Sequence, residues 1–158
     1  MSIRFLCESH REQLQQSQVV ARQRWEEWME AGREAYGRRD WLPALRFLGC
    51  SFELSELMMA GNTQPGVPDL DRHMISGHYL AECFARCGEH DLQRHCLLAV
   101  HYRLLQTLRN AGERRLPLKH NVDISLQMLE RYYRDAGCLD ELSHCQRESK
   151  RLLARYYH

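Results

Sequence analysis

A chain of 158 residues with 44% apolar and 27% charged side chains has the make-up of one folded domain with its own core. Its 22 Lys and Arg against 21 Asp and Glu leave a net charge of +1, which excludes the strong basic excess of a dedicated nucleic-acid binder. Residues 1–10 lack the apolar stretch of a secretory signal, and no run of about 18 apolar residues occurs, so neither export nor a membrane span is expected and a cytoplasmic location is.

The first predicted helix runs from Ser9, with Glu12 three residues later as a capping box, to Gly37. Its early part is Gln-rich (Gln13, Gln15, Gln16, Gln18) and reads as an N-terminal helical extension over 1–24; Trp25, Trp28, Met29 and Ala35 follow. Gly37-Arg38-Arg39-Asp40 breaks it. Trp41 to Met59 continues with Leu45, Leu48 and Phe52 at helical spacing, and residues 60–68, rich in Gly and Pro, form a loop. A helix is predicted from Asp69 or Asp71 to Cys87, then a turn at Gly88-Glu89-His90-Asp91 and a helix from Leu92 to Asn110. A second loop reaches Pro117, and helices follow over Asn121–Arg134 and from about Gly137 to the C-terminus. No strand-like alternation stands out. The expectation is a single all-α domain of three antiparallel helix pairs, at 25–59, 69–110 and 121–157, repeating at about 50 residues.

Within the first pair, Trp28, Ala31 and Gly32, then Trp41, Ala44, Leu48 and Ser51, resemble a tetratricopeptide-repeat (TPR) unit. Small residues there let two helices approach closely, and the large ones fill the space around them. The third pair fits less fully (Leu129, Tyr133, Leu139, Leu142), and the second carries Ala81, Ala85 and Leu92 but His95 where Ala is usual. TPR units repeat at a shorter interval, so the likeness is to the type. It implies hairpins stacked as a right-handed superhelix, with a compact six-helix array as the alternative.

The resemblance also implies a site. In the TPR family the first helix of each pair lines a concave groove that receives a partner segment. By position this places Met29, Arg33 and Tyr36, then Tyr79, Cys83 and Arg86, then Gln127, Arg131 and Arg134 in the groove. Arg beside Tyr suits a segment bearing carboxylates, which Arg can hold bidentately. The expected function is protein binding, as an adaptor, assembly factor or chaperone, with another protein or peptide of acidic character as partner and a homo-oligomer left open.

A second chemistry competes. Cys83, Cys87 and His90, with His95-Cys96 close by, offer the ligand types zinc takes, so a metal- or redox-responsive helical protein is the alternative. Cys is equally a common small core residue. The seven cysteines, at 7, 50, 83, 87, 96, 138 and 145, show no framework spacing and read as reduced thiols. No Gly-rich phosphate loop, Gly-x-Ser-x-Gly, His-Glu-x-x-His or Cys-x-x-Cys occurs, so no catalytic residue and no cofactor are assigned.

Overall fold

Gly, Pro and short polar residues interrupt an otherwise helix-forming sequence, and the helices lie between them. The computed structural model describes residues 4–60, 64–111 and 116–157, and contains α1 (Glu8–Gln15), α2 (Gln18–Gly37), α3 (Trp41–Ala60), α4 (Val67–Arg86), α5 (His90–Asn110), α6 (Lys119–Ala136) and α7 (Leu139–Tyr156). Among the described residues there is no strand, so the all-α expectation holds. The predicted first helix, however, is two. Ser17 takes extended backbone and its hydroxyl accepts from the Val20 amide at 3.3 Å, capping α2 and ending α1 before it.

Three short turns join α2 to α3, α4 to α5 and α6 to α7, and they share one geometry. Arg39, Gly88 and Gly137 adopt φ of 59°, 76° and 74°, in the left-handed region. The next residue then bonds back five positions: the Asp40 amide to Ala35 O, Glu89 to Phe84 O and Cys138 to Tyr133 O, at 2.9, 2.9 and 2.8 Å. This closes off helix-terminal carbonyls in the manner of a Schellman cap. The left-handed residues stand at 39, 88 and 137, so the hairpins repeat at 49 residues.

Each helix packs on its successor. Beyond that, α2 touches α4 and α4 touches α6, so the first helices of the hairpins stand side by side, while α5 touches α7. Close approach depends on small residues. A Cβ on Gly32 of α2 would lie 2.7 Å from Leu48 Cδ2 of α3, and one on Gly77 of α4 would lie 2.4 Å from Val100 Cγ2 of α5 and 2.9 Å from Phe52. Ala44, Leu48 and Ser51 are fully buried, whereas Trp28 and Trp41 are only half-buried at the edge of the core.

Two buried polar arrangements punctuate this core. His101 of α5 lies between Ser125 Oγ of α6 (2.7 Å from Nδ1) and Ser149 Oγ of α7 (2.9 Å from Nε2). Burial pushes its pKa down to about 4, so the ring is neutral near pH 7 and carries one N–H between two hydroxyls that themselves donate to the Val122 and Cys145 carbonyls at 3.0 and 2.7 Å. Glu53 of α3, almost fully buried, accepts from the Phe5 and Leu6 amides at 2.6 and 2.9 Å and pairs with Arg11. That carboxylate ties the N-terminal segment to α3. Beneath it Leu6, Leu14 and Ala21 pack on Leu54, Leu57 and Met58 as a second, smaller core.

Candidate functional site

The layer formed by α2, α4 and α6 presents a continuous face with Glu82 of α4 at its middle. On the α2 side, Tyr36 donates to Glu82 Oε1 at 3.4 Å and its ring meets Trp41 and Tyr79 edge-on, with centroids 5.3 and 6.1 Å apart. Arg86 Nε lies 3.4 Å from the same Glu82 oxygen. The Tyr36 phenol and Glu82 both favour its charged form. On the α6 side, a cleft of about 450 Å³ opens between α4, α5 and α6, bounded by Glu82, Ala85, Leu97, Met128, Arg131 and Tyr132 among others. Tyr132 donates to the His90 carbonyl at 3.4 Å and bridges the lip of the cleft. The lining is mixed: alanine, leucine, methionine and a tyrosine ring alternate with Glu82, His90, Gln93, Arg131 and Asp135.

Helical spacing explains which side chains face inward. Met128, Arg131, Tyr132 and Asp135 stand at i, i+3, i+4 and i+7, so one stripe of α6 lines the cleft. The expected groove residues divide accordingly. Tyr36, Tyr79 and Arg86 lie together around Glu82, and Arg131 lines the cleft. Arg33 and Gln127 are exposed on α2 and α6 with no described partner. Met29 is corrected: it is 1% exposed and belongs to the core, so no partner can reach it. Cys83 is corrected for the same reason, being fully buried with its thiol 3.7 Å from the Trp41 carbonyl. Arg134 turns to the opposite flank of α6, where it lies 4.0 Å from Glu130, which Gln146 of α7 also holds.

The 49-residue repeat also corrects the register. It makes Arg33, Glu82 and Arg131 equivalent, so Glu82 is the residue that the expected stripe on α4 missed by one position. The sequence signal was available in the glycines at 88 and 137. The central side chain of the face is thus acidic and already engages Arg86, which leaves the face mixed in charge and not uniformly basic.

The cysteine and histidine candidates do not converge. Among the described residues no group of three or more His, Cys, Asp or Glu is placed to hold a metal ion. Cys83 is buried, Cys87 is exposed, and His90 contacts Gln93 Oε1 at 3.2 Å. His95 is partly buried and its pKa is lowered mainly by that burial. Burial pushes the Cys83 and Cys96 thiols up to about 12, the opposite of what a thiolate ligand requires. All seven cysteines are free.

Among the described residues, no helix is long and apolar enough to cross a membrane. Comparison with protein-family models, with curated proteins and with solved structures finds no match.

Proposed function

We propose that this protein is a helical-repeat binding module of tetratricopeptide type. Its α2–α4–α6 face receives a segment of another polypeptide, and a carboxylate of that segment docks on Arg131. One observation carries this reading. Arg131 lines a cleft with Leu97, Met128 and Tyr132, and although Glu82 and Asp135 line it too, among the described residues no carboxylate lies within ion-pair distance of Arg131, whereas Arg86 already has Glu82. A guanidinium so placed has unused donors in a fork suited to a carboxylate, while Met128, Leu97 and the Tyr132 ring offer area to an apolar side chain beside it. The equivalence of Arg33, Glu82 and Arg131 supports a ligand running across all three hairpins, with a basic group on its middle part to meet Glu82. Binding, not catalysis, is the use this arrangement fits.

The test is a library of short peptides varied at the C-terminal carboxylate and at acidic positions, screened against the parent protein and against Arg131→Glu and Arg147→Glu. Carboxylate-bearing peptides should bind the parent and the Arg147→Glu control, and Arg131→Glu should lose them at an unchanged melting temperature. Equal binding by Arg131→Glu overturns the proposal.

A further inference from the structure

The three hairpins meet at two junctions, α2 and α3 against α4, and α4 and α5 against α6. The 49-residue repeat relates them, so each can be laid on the other residue by residue. One contact recurs at both and fixes the register. In the first junction Cys83 Sγ of α4 donates to the carbonyl of Trp41, the residue that opens α3, at 3.7 Å. In the second, the Tyr132 hydroxyl of α6 donates to the carbonyl of His90, which opens α5, at 3.4 Å. Cys83 and Tyr132 stand one repeat apart, as do Trp41 and His90.

What lies between these matched walls differs. In the first junction the half-buried Tyr36 ring stands among Trp41, Tyr79 and Glu82. It meets the two aromatic rings edge-on, with centroids 5.3 and 6.1 Å apart, and its hydroxyl donates to Glu82 Oε1 at 3.4 Å. One repeat further on, Trp41, Tyr79 and Glu82 become His90, Met128 and Arg131, and all three line the cleft of about 450 Å³. Tyr36 itself becomes Ala85, which lines the same cleft. The cleft is therefore the place of an aromatic ring that the second junction does not carry. Tyr132, at the position of the smaller Cys83, takes back part of the room, yet the cleft remains.

We infer that this cleft receives an aromatic side chain from the partner segment. The inference rests on the proposed use of the α2–α4–α6 face and adds the residue type that the segment must carry. The Met128 thioether and the Tyr132 ring offer an incoming ring the sulfur and edge contacts that aromatic side chains favour, with Ala85 and Leu97 beside them. The polar end is inverted between the junctions. Tyr36 presents a hydroxyl proton to the Glu82 carboxylate, whereas the incoming residue meets the Arg131 guanidinium, which only donates. The group beside the incoming ring must accordingly be an acceptor, and the carboxylate assigned to Arg131 is that group. The recognised element is an aromatic residue next to an acidic one, or an aromatic residue with a free C-terminal carboxylate.

The test uses short end-blocked peptides with Trp, Phe, Leu or Ala followed by Asp, and a second set ending in the same four residues with a free carboxylate. Both sets are titrated into the full chain and into Ala85→Tyr, which supplies from within the ring that the first junction has. The melting temperature of Ala85→Tyr should equal or exceed the parent's. The parent should bind Trp or Phe peptides about tenfold or more tighter than the Ala peptide, the loss expected on truncating an aromatic anchor. Ala85→Tyr should erase that preference while binding the Ala peptide as the parent does. In the parent, Trp and Phe peptides should give ring-current shifts at the Ala85 and Met128 methyl groups, and Leu peptides should not. The set that shows the preference identifies the carboxylate as a side chain or a C-terminus. Equal binding of aromatic and Ala peptides by the parent, a preference undiminished in Ala85→Tyr, or absent methyl shifts overturns the inference and leaves carboxylate docking on Arg131 intact. An aromatic preference that Arg131→Glu leaves unchanged upholds the ring and overturns the carboxylate reading. No binding by any peptide overturns both. Self-association of the parent that Ala85→Tyr abolishes would give the cleft to a second copy and overturn a separate partner.

Discussion

Leu48 packs against Gly32 so closely that a Cβ on the glycine would fall 2.7 Å from Leu48 Cδ2 and 3.3 Å from the Leu48 amide nitrogen. The α2–α3 crossing is therefore set by the absence of a side chain. Gly32→Ala should destabilise the protein by about 1–3 kcal/mol through overpacking, in spite of alanine's better helix propensity. Ala44→Leu, on the facing helix and fully buried, should cost a similar amount. Urea unfolding of both variants checks this, and unchanged midpoints would mean the hairpin yields more easily than its packing implies.

Arg39 occupies the left-handed position that glycine fills in the other two hairpin turns. A side chain there costs about 1 kcal/mol relative to glycine. Arg39→Gly should raise the stability by up to that amount, read as a higher thermal midpoint, with the structure unchanged. A lower midpoint would show that Arg39 makes a compensating contact.

Acid should weaken the fold before ordinary carboxylates titrate. His73, His78 and His101 are each held at about 4, below the usual 6.5, chiefly by burial. The unfolded chain then takes up protons below about pH 6.5 that the folded chain refuses, so stability is complete above that value and drains away as the pH falls toward 4. Glu56, raised by burial, acts in the opposite sense only in the carboxylate range. Urea midpoints measured at about pH 7.5 and about pH 5 should differ clearly, and a flat profile would contradict neutral buried histidines.

Thiol reactivity should follow burial. Cys7 and Cys87 are exposed, while Cys83, Cys96 and Cys145 are buried with raised pKa values. A thiol reagent should modify the first two in the native protein and reach the other three only on unfolding. Thermal stability should be the same with and without a reductant, since every cysteine is free.

Removal of the Glu53 carboxylate tests the N-terminal anchorage. Glu53→Ala leaves Arg11 and two backbone amides without their acceptor and should cost about 3 kcal/mol. Hydrogen exchange at Phe5 and Leu6 should accelerate far more than at Leu104, in the centre of α5.

The helices were legible because their punctuation is local. Gly88, Gly137 and the Gly37–Asp40 turn announce themselves in the sequence, and α3, α5 and α7 start within about two residues of where spacing places them. The break at Ser17 was not legible in the same way, because the glutamines around it are good helix formers and no Gly or Pro marks it. Helix rotation was harder still. Whether Cys83 or Glu82 faces outward on α4 depends on its docking against α3, and a one-residue slip exchanges a buried thiol for the central carboxylate of the face.

The packing of each helix on its immediate successor sets how the chain assembles itself. Contacts between chain neighbours close small loops, the situation in which domains fold fastest, and each hairpin can form as soon as its second helix has left the ribosome. One segment breaks that order. Residues 5, 6 and 11 are anchored by a carboxylate at position 53, so they must wait until α3 has been made. These residues are made before α3 yet dock only after it, and until they do, Leu54, Leu57 and Met58 have only Ala21, Trp25 and Trp28 of α2 as cover.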